Sequence, residues 1–239
     1  MAGHSRWAQV KHKKAGSDAR RGMLFSKLGR LISVAAREGG ANPDTNPKLR
    51  QVIDQARASG IPKENIERAI EHGAGGPEPA KLRAMEYEAY GPGGMALVIS
   101  VVTDNPNRTL ADIKRILGEF GGRLAEAGSV TWMFERRYAA DFALPGEGAE
   151  EFELRLIDAG AEDIARIPER LRAVVRPEGW SSFQSTIQDR GLTPLAIESI
   201  VVSKNMVAVD PQNKNRSATL VQTLEDHPDV TEVWTNLKV

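Results

Sequence analysis

The sequence predicts an α+β fold, in which an N-terminal three-helix bundle is followed by two ferredoxin-like α/β domains, the second inserted into the first. Three observations lead to this prediction. Apolar residues recur every three or four positions through the first part of the chain, which is typical of amphipathic helices. Strand-like and helical patterns alternate after that part. Finally, the first group of strands is one helix and one strand short of a complete α/β unit, and the end of the chain carries an additional helix and strand that would complete it.

Three helices are predicted before residue 75. The first begins near residue 20 and has an apolar stripe at helical spacing, formed by Leu24, Phe25, Leu28, Leu31, Ile32 and Ala35. Asn46 and Pro47 form the cap and the first position of the second helix, which Gly60 ends. Pro62 opens the third helix and Gly73 ends it. Short turns between such helices favour a small bundle.

The middle of the chain is predicted to begin with strands over residues 85–90 and 95–102. A helix over 109–120 and a strand over 130–134 follow. This β-β-α-β series lacks one helix and one strand of a two-layer sandwich. A helix around 217–225 and a strand over 230–237 would complete it.

Residues 137–204 form a full β-α-β-β-α-β pattern of their own, which resembles a ferredoxin-like unit. We therefore predict three domains. They are a basic helical domain over 1–77, a split α/β domain over 78–135 plus 206–239, and an inserted α/β domain over 136–205.

Positive charge is concentrated at the start of the chain. The first thirty residues carry a net charge of +7, although the whole chain of 239 residues has a formal charge of zero. Such asymmetry indicates a polyanionic partner, and the alternative is a basic tail that is only solvated. The candidate nucleic-acid-binding residues are the cations of this segment: Arg6, Lys11, Lys13, Lys14, Arg20, Arg21, Lys27 and Arg30.

Three aromatic side chains, those of His4, Trp7 and His12, lie among these cations. They are able to stack on unpaired bases, which is worth roughly 1–3 kcal/mol per base. Trp7 is equally able to act as an anchor that packs the N-terminal arm onto the bundle. Both interpretations stay open at the level of the sequence.

A polar loop follows the second strand of the middle region and opens a helix. In one interpretation it is only a cap, in which Asn107 or Thr109 accepts a backbone N–H. In the other, it is a polar contact with phosphate or with a partner protein at a helix N-terminus. The candidate contact residues are Asp104, Asn105, Asn107, Arg108 and Thr109.

The sequence carries no pattern that is typical of catalysis. It has no cysteine, which excludes disulfides and thiolate chemistry. Its four histidines lack zinc-site spacing, and the glycine-rich turn at 91–94 lacks the Lys-Ser/Thr of a phosphate-binding loop. We predict no enzymatic activity, metal, cofactor or small-molecule substrate. No apolar run approaches the ~18 residues of a membrane span, and no secretory signal is present, so we expect a cytoplasmic protein without a membrane partner.

Several long motifs resemble the YebC/PmpR family of bacterial and organellar gene-expression factors. The opening resembles that family in the motifs Gly3-His4-Ser5-Arg6-Trp7-Ala8, Lys11-His12-Lys13-Lys14 and Ala19-Arg20-Arg21-Gly22. Further similarity lies at residues 62–70, 90–94 and 128–130. The resemblance implies an N-terminal helical bundle followed by two α/β domains, and a non-enzymatic role in gene expression.

The resemblance implies two different partners. Members are classed as probable DNA-binding transcriptional regulators, and are also linked to translation as ribosome-associated factors that assist difficult stretches such as proline runs. The basic residues lie in an arm and on one helix face, which suits backbone contact better than base reading. We therefore favour RNA, either rRNA or tRNA in a ribosomal setting. The alternatives are a regulator that binds duplex DNA and a protein-binding adaptor that binds no nucleic acid.

Overall fold

The computed structural model describes residues 18–75 and 81–238, with side chains from residue 21 onward. It confirms the predicted fold class, including the insertion of the second α/β domain into the first. Helices α1 (Asp18–Gly39), α2 (Pro47–Ala58) and α3 (Lys63–Gly73) form the N-terminal bundle. Their shared core is made of buried apolar side chains, among them Leu28, Ile32, Leu49, Ile53 and Ile66.

Asn46 joins the first two helices, as well as capping α2 in the predicted manner. Its Oδ1 accepts the Leu49 N–H at 3.1 Å, and its Nδ2 donates to the carbonyls of Ala35 and Gly40 at 2.8 Å each. This buried amide therefore satisfies groups at the end of α1 and at the start of α2.

The remaining elements alternate between strands and helices. In chain order they are β1 (Arg83–Tyr90), β2 (Ala96–Thr103), α4 (Pro106–Glu119), β3 (Arg123–Leu124), β4 (Phe134–Ala143), α5 (Ala149–Asp158), β5 (Asp163–Ile167), β6 (Arg170–Val175), α6 (Trp180–Asp189), β7 (Ala196–Ser203), α7 (Pro211–Glu225) and β8 (Val230–Thr235).

These strands form two antiparallel sheets of four strands, with the orders β3-β1-β2-β8 and β5-β6-β4-β7. The two orders are equivalent. The unit β2-α4-β3 corresponds to β4-α5-β5, and α7-β8 corresponds to α6-β7. The remaining strand differs in origin, because β6 follows β5 along the chain whereas β1 precedes β2. In the first sheet, the position that β6 occupies in the second sheet is filled by β1. The chain therefore adds no strand to the first sheet directly after β3, and the segment that forms the second sheet is inserted there.

One predicted strand is wrong. Residues 130–134 were expected to form a strand of the first sheet, but Thr131–Met133 is a short 3-10 turn and Phe134 begins β4 of the second sheet. The third strand of the first sheet is instead Arg123–Leu124. The cause is Glu88, whose carboxylate accepts the backbone N–H groups of Gly128, Val130 and Thr131. Two of the donors that a ladder over 130–134 would use are thereby occupied.

Candidate nucleic-acid interface

The structure describes only part of the predicted basic site. Arg6, Lys11, Lys13 and Lys14 lie outside the described residues, as do His4, Trp7 and His12. Arg20 is described as a backbone position of α1 without its side chain. The role of this segment therefore stays a prediction.

The three candidate cations of α1 whose side chains are described differ in their surroundings. Arg21 is exposed, and its guanidinium lies 5.4 Å from the centroid of the Phe25 ring. Lys27 Nζ donates to the carbonyl of Glu225, at the end of α7. Arg30 donates to the carbonyl of Pro228 at 3.0 Å and to Asp229 Oδ1 at 2.6 Å. The middle of α1 is thus attached to the segment that joins α7 to β8.

Asp229 is the centre of this attachment, and its side chain is only 2% exposed. Its second oxygen, Oδ2, accepts hydrogen bonds from Thr109 at 2.7 Å, Arg108 at 2.9 Å and Thr103 at 3.2 Å. Burial by itself would raise the pKa of Asp229, but the hydrogen bonds from Arg108, Thr109 and Arg30 outweigh it and lower the pKa to about 2. The carboxylate is therefore ionised at neutral pH and holds α1, β2 and α4 together.

The polar loop is both a cap and part of this network. Asn105 caps α4, because its Oδ1 accepts the Arg108 N–H at 3.2 Å. The expectation that Asn107 or Thr109 would be the cap is wrong, since the Thr109 hydroxyl lies against Asp229 instead. Arg108 also pairs with Asp104 at 3.1 Å. Asp104, Asn105, Asn107 and Arg108 remain exposed, so contact of this loop with a partner stays a prediction.

Sequence reasoning missed Asp229 as an organising residue. Its partners Arg30 and Arg108 lie 199 and 121 positions away along the chain. No local pattern of residues reports a contact over such a distance. The pairing of β8 with β2 brings Asp229 to the start of α4, and the packing of α1 beside β2 adds Arg30.

The described residues contain no group of three or more His, Asp and Glu side chains that could hold a metal ion. His227 lies at the Asp229 network, where its Nδ1 accepts the Asp229 N–H at 3.1 Å.

Over residues 18–75 and 81–238, no helix has the length and apolar character that crossing a bilayer requires.

Two family models match the chain. "TACO1/YebC protein N-terminal domain" matches residues 5–76, and "TACO1/YebC second and third domain" matches residues 82–237. Proteins named "Probable transcriptional regulatory protein" are similar over the full chain. The one from Halothermothrix orenii is 42% identical over 100% of this chain and 96% of its own length. The one from Thermotoga maritima is 40% identical over 100% of this chain and 94% of its own.

Similarity extends to solved structures. The crystal structure of a conserved hypothetical protein, Aq1575 from Aquifex aeolicus, superposes with a TM-score of 0.84 at 37% identity. The match covers 98% of this chain and 97% of that one. The arrangement of a helical bundle and two four-stranded sheets is therefore shared with a known fold.

Proposed function

Because the chain belongs to the TACO1/YebC family, we propose that it is a non-enzymatic regulator of gene expression that binds nucleic acid. Its partner is RNA in a ribosomal setting, where it assists the translation of difficult stretches such as proline runs. The proposal places the protein in the cytoplasm, with a basic helical domain over 1–77, a split α/β domain over 78–135 plus 206–239 and an inserted α/β domain over 136–205.

The charge of +7 in the first thirty residues carries this proposal. Lys and Arg side chains bind phosphates and release condensed counterions, which favours binding without base specificity. Lys27 and Arg30 fix α1 against the α7–β8 segment, and the basic segment continues directly from the start of this helix. A fixed helix gives that segment a defined point of attachment.

The surface of α3 argues against a recognition helix that reads bases in a DNA major groove. A four-residue connection with a glycine joins α2 to α3, which is a spacing found in helix-turn-helix proteins. However, Glu64, Glu67 and Glu71 are exposed along α3. Their carboxylates would repel the phosphates that line a major groove, so α3 is unsuited to reading bases there.

The test is binding to ribosomes and to RNA across a range of salt concentrations. If about six cations engage, log K should fall against log salt with a slope of roughly −4 on single strands or −5 on duplex DNA. Replacing Lys11, Lys13 and Lys14 by Ala should reduce this slope by roughly 2–3 and weaken binding to all sequences alike.

A matched control removes three other cations of the same domain, Lys48, Arg57 and Lys63. Each of these is exposed and paired with a carboxylate, that of Glu38, Asp54 and Glu67 respectively. The control should keep most of the slope. Equal effects of the two triple replacements would show that only net charge matters. Unchanged affinity and slope after replacement of Lys11, Lys13 and Lys14 would show that the arm is only a solvated tail.

Transcriptional regulation is the second candidate, since the relatives carry that name. It requires that the protein binds a promoter duplex more tightly than RNA and that this binding depends on the DNA sequence. A protein-binding adaptor is the third, and it requires that neither RNA nor DNA binds at moderate salt.

A further inference from the structure

We propose that the groove between α1 and α3 is a second contact for the nucleic-acid backbone, in which Arg68 and His72 bind a phosphate. This inference rests on the proposed function, and it adds residues that lie outside the basic N-terminal segment. The ligand class is the phosphodiester backbone of RNA, recognised without regard to sequence.

The groove is lined by both helices. Ser26, Gly29 and Ser33 line it on α1, together with Arg30. Arg68 and His72 line it on α3. None of the described side chains that line it is acidic, so its electrostatic character is set by two guanidinium groups and an imidazole.

The two stripes of α3 have opposite character. Asn65, Arg68 and His72 recur at helical spacing and line the groove. The carboxylates of Glu64, Glu67 and Glu71 follow the adjacent stripe, one position earlier in each case. An anion that approaches this helix is therefore favoured on the groove side alone.

The two arginines of the groove are in different states. Arg30 shares its charge with Asp229, which also fixes its position. Arg68 is exposed, and no carboxylate of the described residues pairs with it. Its planar fork of N–H donors therefore remains available to phosphate oxygens.

Gly29 leaves room for a ligand in the groove. Glycine in the middle of a helix is destabilising relative to alanine. Here packing does not demand it, because a Cβ atom at Gly29 would meet no described atom within 4 Å apart from the adjacent backbone of its own helix. By contrast, a Cβ at Gly73 would lie 2.2 Å from the carbonyl oxygen of Ser33, so that glycine is required by the contact of α1 with α3. Gly29 leaves open space at the lining of the groove, as close approach of a ligand backbone requires.

The experiment measures the affinity of the full chain for an unstructured 15-nucleotide RNA at several salt concentrations. The double replacement Arg68→Gln with His72→Gln should weaken binding about tenfold and reduce the salt slope by roughly 0.7 for the lost arginine contact. Gly29→Gln should also weaken binding, because its side chain fills the groove, while the thermal midpoint is unchanged or raised.

Lys63→Gln is the matched control, since it removes one charge from the same helix outside the groove. Its affinity should stay within twofold of the wild type. The groove assignment is overturned, and the proposed function kept, if the wild type binds RNA while the groove variants behave like Lys63→Gln. If the wild type does not bind RNA or ribosomes at moderate salt, both proposals fail. Equal losses on duplex DNA, with tighter binding there, would support the groove as a phosphate contact and overturn the choice of RNA.

Discussion

A buried aspartate that is paired with arginines lies in one sheet and another lies next to the other sheet, but the two carboxylates connect the chain in different ways. Asp141 on β4 accepts two hydrogen bonds from Arg172 on β6, at 2.7 and 2.8 Å. These residues are direct cross-strand partners, 31 positions apart. Asp229, before β8, binds Arg30 of α1 and Arg108 of α4.

This difference indicates which parts of the molecule depend on each carboxylate for their stability. The Asp141 pair belongs to one sheet, and strand register alone brings its members together. The Asp229 network joins the helical bundle to the first sheet, so the two are expected to lose structure together. Since removal of one member of a buried pair leaves an uncompensated charge, replacements at these sites separate the two cases.

The largest effect is expected for Asp229→Ala. It removes the acceptor of the buried Thr103 and Thr109 hydroxyls and the carboxylate shared by two partly exposed arginines, and we expect unfolding to become easier by about 3–5 kcal/mol in sum. Urea denaturation measures this loss. Asp104→Ala is the control, because it removes the exposed partner of the same Arg108 and should cost about 0.5 kcal/mol or less. A loss below about 1 kcal/mol for Asp229→Ala would contradict the central role of this carboxylate.

Asp141→Ala should have a smaller effect, about 2–3 kcal/mol. Arg172 then remains half-compensated, because its NH1 group keeps Glu198 at 2.7 Å. Native-state hydrogen exchange should show faster exchange in β4 and β6 with little change in β1 and β2. Asp229→Ala should give the reverse pattern and include α1. Identical exchange patterns in the two variants would refute the inference that the two sheets lose structure independently.

Acid should destabilise the Asp229 network. Its pKa is about 2 in the folded protein instead of 3.8, which corresponds to about 2 kcal/mol of stability. Because the folded value is the lower one, this stability is present above about pH 4 and is lost as the pH falls towards 2. The stability difference between the wild type and Asp229→Asn should therefore shrink over this range. A difference in the free energy of unfolding that stays constant from pH 6 to pH 2.5 would exclude a lowered pKa of Asp229 in the folded protein.

The smallest effect is expected for Arg30→Gln, about 1 kcal/mol. Asp229 keeps its hydrogen bonds from Arg108, Thr103 and Thr109, so its charge stays compensated. The amides in the middle of α1 should nevertheless exchange faster, since the helix loses a contact with the α7–β8 segment. Lys48→Gln, which removes an exposed cation paired with Glu38, should leave these amides unchanged.

The fold was largely predictable from the sequence, because each helix and most strands carry a local pattern. The apolar stripe of α1 and the Asn46 cap are examples in which neighbouring residues determine the structure. No strand forms over 130–134, because the carboxylate of Glu88, some forty positions away, accepts the backbone N–H groups of Val130 and Thr131. Apolar character alone does not reveal such a competitor.

The candidate site was less predictable. The sequence indicates the basic segment, but it does not distinguish cations that bind the protein itself from those that remain available. Lys27 and Arg30 contact residues 198 and 199 positions away. Arg68 and His72, by contrast, look like members of an ordinary solvated helix face, because glutamates alternate with them. The packing of α1 on α3 distinguishes them, because Arg68 and His72 line the groove between the two helices and the glutamates do not.

The insertion after β3 also has a consequence for synthesis of the protein on the ribosome. Strand β2 pairs on one edge with β1, but its other edge is completed only by β8. At about 5–20 residues per second, the roughly one hundred residues between β3 and β8 take on the order of 5–20 s to appear. During that interval the nascent chain carries an open edge on its most apolar strand, Ala96–Thr103. The bundle and the inserted sheet are able to form earlier, so the last strand to be made is the one that closes the fold.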